Sequence, residues 1–177
     1  LLYLALCQTE GDCRFEEAER YVRRAISADD EYRPAKHTLG MVLIQRKRYA
    51  DAVAVLRPLA EDILYKTPEL AWYDLGGAYL ELGDLERAGD ALSRALALRP
   101  TFCWANYRLG LVQERRGALD RAEQEFSRAV APEDPTCRNL QDAYAARARV
   151  RLKLGRAQDG CRDLKVCVEL SPDNTAG

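Results

Sequence analysis

The sequence predicts an all-α solenoid of about five stacked helical hairpins, and three observations carry that prediction. A set of apolar and small residues returns at a 34-residue interval, most clearly from Trp72, Leu75-Gly76 and Tyr79 to Asn106 and Leu109-Gly110. Within each copy the apolar residues fall at i, i+3, i+4 and i+7, which puts them on one helix face. Turn-forming residues recur in register: Gly83, Gly117 and Gly155 follow first helices, and Pro100 and Pro172 close second helices. One hairpin cannot cover its own apolar face, but a stack of them can.

The copies follow in order as approximate units 1–32, 33–68, 69–102, 103–136 and 137–172, with a tail at 173–177. The first is partial, with Ala18, Val22 and Ala25 behind a degenerate helix. The second carries Leu39-Gly40, Leu43, Ala52, Leu56 and Leu59. Pro58 inside its second helix should kink or shorten that helix. Two extra residues make Asp62–Pro68 a longer connector. The third is the clearest: Trp72, Leu75-Gly76, Tyr79, Gly83, Ala88, Leu92, Ala95 and Pro100. The fourth repeats it with Asn106, Leu109-Gly110, Gly117, Ala122, Phe126 and Ala129. Ala131–Thr136 then adds about one turn's worth of chain with two prolines. Asp134 or Thr136 is expected to cap a lengthened first helix of the fifth unit. That unit carries Tyr144, Ala148, Gly155, Leu164 and Pro172. Gly76 and Gly110 are expected where helices approach closely, and Ala88 and Ala122 where they cross.

Composition excludes several function classes. The chain has 177 residues, and its 27 Lys+Arg and 28 Asp+Glu leave a net charge of −1, which disfavours a nucleic-acid partner. No apolar run approaches the length of a membrane span. A single histidine, His37, removes chemistry that needs two. There is no glycine-rich phosphate loop, no Gly-x-Ser-x-Gly, no Cys-x-x-Cys and no plausible pair of carboxylates. No catalytic residue, metal site or cofactor is expected, and the chain reads as a non-enzyme.

The 34-residue signature resembles the tetratricopeptide repeat (TPR), and the likeness covers nearly the whole chain. It implies a right-handed superhelix whose concave face is lined by first helices and binds peptides. By offset from the core stripe, that groove would present His37, Met41, Ile44 and Gln45. Tyr73, Gly77, Leu80 and Glu81 would follow from the third unit. The fourth would add Trp104, Tyr107, Leu111 and Glu114, and the fifth Ala145, Arg149, Leu152 and Lys153. Its middle would be apolar and aromatic, and one end basic. Some TPR domains clamp a C-terminal carboxylate with Lys, Asn and Arg. Here those places hold His37, Met41, Asp74 and Trp104, and only Arg108 fits. An apolar segment or amphipathic helix suits the groove better. The alternative is a superhelix closed on these residues. Arg147, Arg149, Arg151 and Lys153 alternate along one helix, which spreads their charge. Arg147 and Arg151 occupy apolar positions of the repeat, where they would lie over apolar surface or pair with Asp142 or Asp159.

Six cysteines form an even set that fits an oxidising compartment, with buried thiols as the alternative. Cys103 and Cys137 are one repeat length apart, near the starts of neighbouring first helices, and are the leading disulfide candidate. Cys7 and Cys13 could bridge across Gly11-Asp12. Cys161 and Cys167 lie about 9 Å apart along an intact helix, too far to bond. No secretion signal is visible. Leu4-Ala5-Leu6-Cys7 resembles the end of a lipoprotein signal, but bulky Leu6 is wrong for cleavage and the residues fit an amphipathic helix.

A narrower likeness lies in Leu56–Gly76, where Leu64-Tyr65 and Thr67-Pro68-Glu69 lead into Tyr73-Asp74-Leu75-Gly76. This resembles the type IV pilus pilotin lipoproteins of the PilF/PilW and Tgl type, as do the RPTFCWANYRLG and CVELSP segments. The resemblance implies an outer-membrane lipoprotein on the periplasmic face, holding an apolar segment of the secretin PilQ while that ring assembles. The alternatives are a generic TPR adaptor or co-chaperone with another client, in the cytoplasm or elsewhere, and a regulatory repeat region of a larger enzyme.

Overall fold

The computed structural model describes residues 15–131, 137 and 140–169, and helices dominate them. In chain order these are α1 (Phe15–Ala28), α2 (Arg33–Gln45), α3 (Tyr49–Ala60), α4 (Pro68–Glu81), α5 (Leu85–Leu98), α6 (Cys103–Arg115), α7 (Leu119–Ala129), α8 (Gln141–Lys153) and α9 (Ala157–Glu169). Pro34 and Pro68 lie in the first turns of α2 and α4, where a missing N–H costs no helical bond. Pro58 sits in the last turn of α3, which ends two residues later.

The first helices α2, α4, α6 and α8 end in the same way. The N–H of Arg48, Asp84, Ala118 and Arg156 each returns to the carbonyl five residues earlier, at 2.8–2.9 Å. The residue before each donor must then adopt positive φ. It is glycine three times, Gly83 (78°), Gly117 (76°) and Gly155 (77°), and Lys47 (58°) once.

The chain divides into two compact units, Leu1–Asp84 and Leu85–Gly177. In the first, α2 packs on α1 and α3, and α4 packs on α3 and α2. Val42, Leu43, Ala52, Leu56 and Leu75 form its core. Gly40 admits the Leu56 side chain into the space its own Cβ would fill. A second device is polar. Glu19 is buried and accepts from Arg23 Nε (2.8 Å), Arg48 Nη1 (3.1 Å) and Arg46, which fastens α1 to the α2–α3 turn. Burial alone would raise its carboxyl, but the hydrogen bonds from Arg23 and Arg46 and the charges of Arg23 and Arg48 outweigh burial and hold it below its ordinary value.

In the second unit each helix from α5 to α9 packs on the next, and α8 also meets α6. Phe126 is fully buried with Ala122, Ala146 and Val150. A Cβ on Gly110 would lie 2.5 Å from the Phe126 ring, so that glycine sets the α6–α7 approach. Cys103 and Cys137 are joined as a disulfide with Cα atoms 5.8 Å apart, in a cluster with Ala129, Val130, Leu140 and Ala143. Cys161 and Cys167 are free.

Two expectations need correction here. The first helix of the fifth unit is not lengthened: α8 has 13 residues, as α6 has, and begins at Gln141. Leu140 and Ala143 are seated in the disulfide cluster, so the added chain precedes the helix instead of extending it. Arg147 and Arg151 do not pair with Asp142 or Asp159. Asp163, 4% exposed, accepts from Arg147 Nη2 (2.7 Å) and Nε (2.9 Å) and from Arg151 Nη1 (2.8 Å), and Glu123 takes Arg151 Nε at 2.8 Å. The α8 cations reach acids on the helices packed against them, which local spacing does not reveal. Cys7, Cys13, Asp134, Thr136 and Pro172 lie outside the described residues.

Replacing Lys47 with glycine should raise the urea midpoint, by about 0.5–1 kcal/mol of stability, because the left-handed backbone is strained for lysine. Asp163→Asn should cost about 3–5 kcal/mol in the same titration, since two guanidinium groups lose a buried counter-charge.

Candidate functional site

First helices position the candidate residues, and each unit presents its own surface. In the first unit the α1–α2 loop, the outer face of α2 and the 62–67 connector enclose a cleft of about 510 Å³. Asp62 shapes the connector: its carboxylate accepts the Leu64 N–H (2.8 Å) and Arg33 Nε (2.6 Å). These bonds hold its carboxyl below the ordinary range. The connector therefore turns Tyr65 inward and leaves Leu64 68% exposed and Ile63 95% exposed. Tyr65 meets the edge of His37, ring centroids 5.8 Å apart, and burial raises its hydroxyl. His37 Nε2 lies 2.9 Å from Asp74 Oδ2, a contact that joins α2 to α4 beside the cleft. Met41, 38% exposed, and Tyr32, 49% exposed, complete an apolar mouth.

In the second unit the surface belongs to α6 and α8. Trp104 is 42% exposed. Tyr107 and Leu111 are half-buried over the Phe126 cluster, with the Tyr107 and Phe126 centroids 5.9 Å apart. Toward the helix C-termini, Glu114 Oε1 accepts from Arg149 Nε (2.9 Å) and Lys153 Nζ (2.7 Å), and Oε2 from Arg149 Nη2 (2.6 Å). The Arg149 hydrogen bonds, reinforced by Lys153, overcome burial and hold the Glu114 carboxyl down to about 2.

The expected groove residues thus divide. Met41, Trp104 and Arg149 are exposed, and His37, Ile44, Tyr73, Tyr107 and Leu111 are half-buried. Leu80 is 3% exposed and lies in a run, Leu75–Leu80, in which every residue is buried. It is a core residue, because this stretch of α4 is buried all round, and exposure returns only at Glu81 and Leu82. Offset reasoning missed Tyr32, Tyr65, Lys66 and Leu70 of the cleft. For Tyr65 and Lys66 the signal was the two-residue expansion of the connector.

Comparison with known proteins supplies the family. The tetratricopeptide repeat profile matches residues 37–101 and 105–136, together more than half of the chain. The chain belongs to the tetratricopeptide repeat family. No curated protein sequence matches it. Among solved structures, MamA is 25% identical with a TM-score of 0.74, covering 88% of each chain. PilW, described as a widely conserved type IV pilus biogenesis factor, is 23% identical with a TM-score of 0.76, covering 89% of this chain and 72% of its own. YrrB, a TPR protein with an unusual peptide-binding site, is 20% identical with a TM-score of 0.67 and coverages of 90% and 79%. The last two likenesses establish the fold. This TPR chain is a protein-binding scaffold, and among its described residues no helix is long and apolar enough to cross a membrane.

Glu114 gives the α6–α8 contact a defined pH dependence. Its folded value lies below the ordinary 4.5, so its stabilisation is complete above that pH and is lost as pH falls toward about 2. Thermal melts should show a steeper loss between these limits in the wild type than in Glu114→Gln.

Proposed function

We propose that this TPR chain is a non-enzymatic assembly factor of the pilotin type, which binds an apolar segment of the secretin PilQ on first-helix surfaces. The observation that carries the reading is the first-unit cleft. Its wall, Leu64–Thr67, is the connector on which the pilotin resemblance rests, and its mouth holds the exposed apolar side chains of Met41, Leu64 and Tyr32. Burying such side chains against a partner contributes about 1.5–3 kcal/mol each. The exposed Trp104, with Tyr107 and Leu111 beside it, offers a second apolar surface of the same kind. The likeness to PilW in fold supports the reading. So does the Cys103–Cys137 bond, which fits the oxidising periplasm and not reducing cytosol. In this proposal the protein acts at the periplasmic face of the outer membrane as a lipoprotein.

The test is secretin assembly in cells. Met41→Glu with Leu64→Glu, and separately Trp104→Ala with Tyr107→Ala, should leave helicity intact and abolish heat-resistant secretin multimers. Normal multimers in both double variants would refute the groove assignment.

A further inference from the structure

The charged contacts of the second unit are matched on one side of α8 and unmatched on the other. Toward α7 and α9, three cations (Arg147, Arg151 and Arg156) meet three carboxylates (Glu123, Asp163 and Asp120). Toward the α6 surface, two cations, Arg149 and Lys153, share the single carboxylate of Glu114. Glu114 is almost enclosed, its side chain 11% exposed, whereas those of Arg149 and Lys153 are each 50% exposed. Farther up the same surface, Asp142 and Arg108, of opposite charge, both lie close enough to act on Tyr107. Among these residues three cations (Arg108, Arg149 and Lys153) face two carboxylates (Glu114 and Asp142), and the shared carboxylate lies at the C-terminal end of the strip formed by Trp104, Tyr107 and Leu111.

We infer that the α6–α8 surface selects an apolar partner segment that carries one acidic side chain, with Arg149 and Lys153 holding that acid. The inference rests on the proposed groove and adds the chemistry of its occupant. The geometry sets the spacing. Trp104 and Glu114 are separated along α6 by about 15 Å at 1.5 Å per residue. An extended chain rises about 3.3 Å per residue, so the acid falls four or five residues beyond the side chain that contacts Trp104. A lysine or arginine at that place in the segment would be repelled, which makes the cluster a selector among apolar segments. Because both cations are half in water, the selection is modest and weakens with salt.

The test uses the whole chain and two synthetic peptides of about twelve residues, N-acetylated and C-amidated so that neither end adds a charge. Both carry a Phe–Leu–Val apolar core, with either Glu or Gln four residues after the Phe. Affinities are measured by calorimetry at roughly 0.05 M and roughly 0.5 M salt. The Glu peptide should bind about fivefold tighter at low salt, with the difference nearly gone at high salt. Lys153→Gln with Arg149→Gln should erase the preference while the circular dichroism spectrum is kept. Glu114→Gln should enlarge the preference, because it releases both cations, whereas a merely structural ion pair would not change it. Equal low-salt affinities of the wild type for the two peptides would overturn the inference and leave the groove reading standing. A preference that survives in the Arg149→Gln, Lys153→Gln variant would overturn it as well. Binding of neither peptide would overturn both.

Discussion

Close approach between the two helices of a hairpin is the constraint on which the other contacts depend. At Gly40 the Leu56 side chain, and at Gly110 the Phe126 ring, occupy space that any Cβ would claim. With the helices that near, Leu43 and Leu56 in one unit, and Val112 and Phe126 in the other, lose nearly all contact with water. This burial supplies the dominant favourable term for a chain whose charges almost cancel. It also dictates which side chains are left outside. Once a helix turns its small and aliphatic face to its neighbour, the opposite stripe must face solvent or a visitor. Met41 and Trp104 lie on such stripes.

Polar contacts take over where the apolar pattern lapses. Arg147 stands at a position that Leu109 fills one repeat earlier, and the guanidinium there is met by both oxygens of Asp163, by Ser127 Oγ and by the Tyr144 ring. Glu19 plays the corresponding part at the start of the chain, gathering three arginines around one carboxylate. Such sites replace shape complementarity with charge complementarity, and they tolerate little change in the partner's identity. Removing one member leaves an unmatched ion in a poorly solvated place.

Much of the fold was legible in the residues because its rule is periodic. Leu75-Gly76 and Leu109-Gly110 mark first helices, and Gly83, Gly117 and Gly155 mark the turns where the backbone takes positive φ. Lys47 performs the same turn with no compositional sign of it. The partners of Arg147 and Arg151 were illegible for a different reason. Asp163 and Glu123 sit on other helices, and only the packing decides which carboxylate arrives. The apolar surfaces were legible in kind and imprecise in membership. An offset rule treats every helix face alike, so it placed Leu80 outside although Leu75–Leu80 of α4 is buried all round. The rule also passed over the connector, whose Asp62 bonds fold Leu64 and Tyr65 into a cleft wall.

The bond between Cys103 and Cys137 encloses all of α6, the α6–α7 turn and all of α7 in one covalent ring. A protease that cuts the backbone once anywhere inside that ring cannot separate the chain into two molecules while the sulfurs stay oxidised. The fragments travel together and come apart only when a reductant is added. Where proteases are present and thiols stay oxidised, this is a form of damage tolerance that packing alone does not provide.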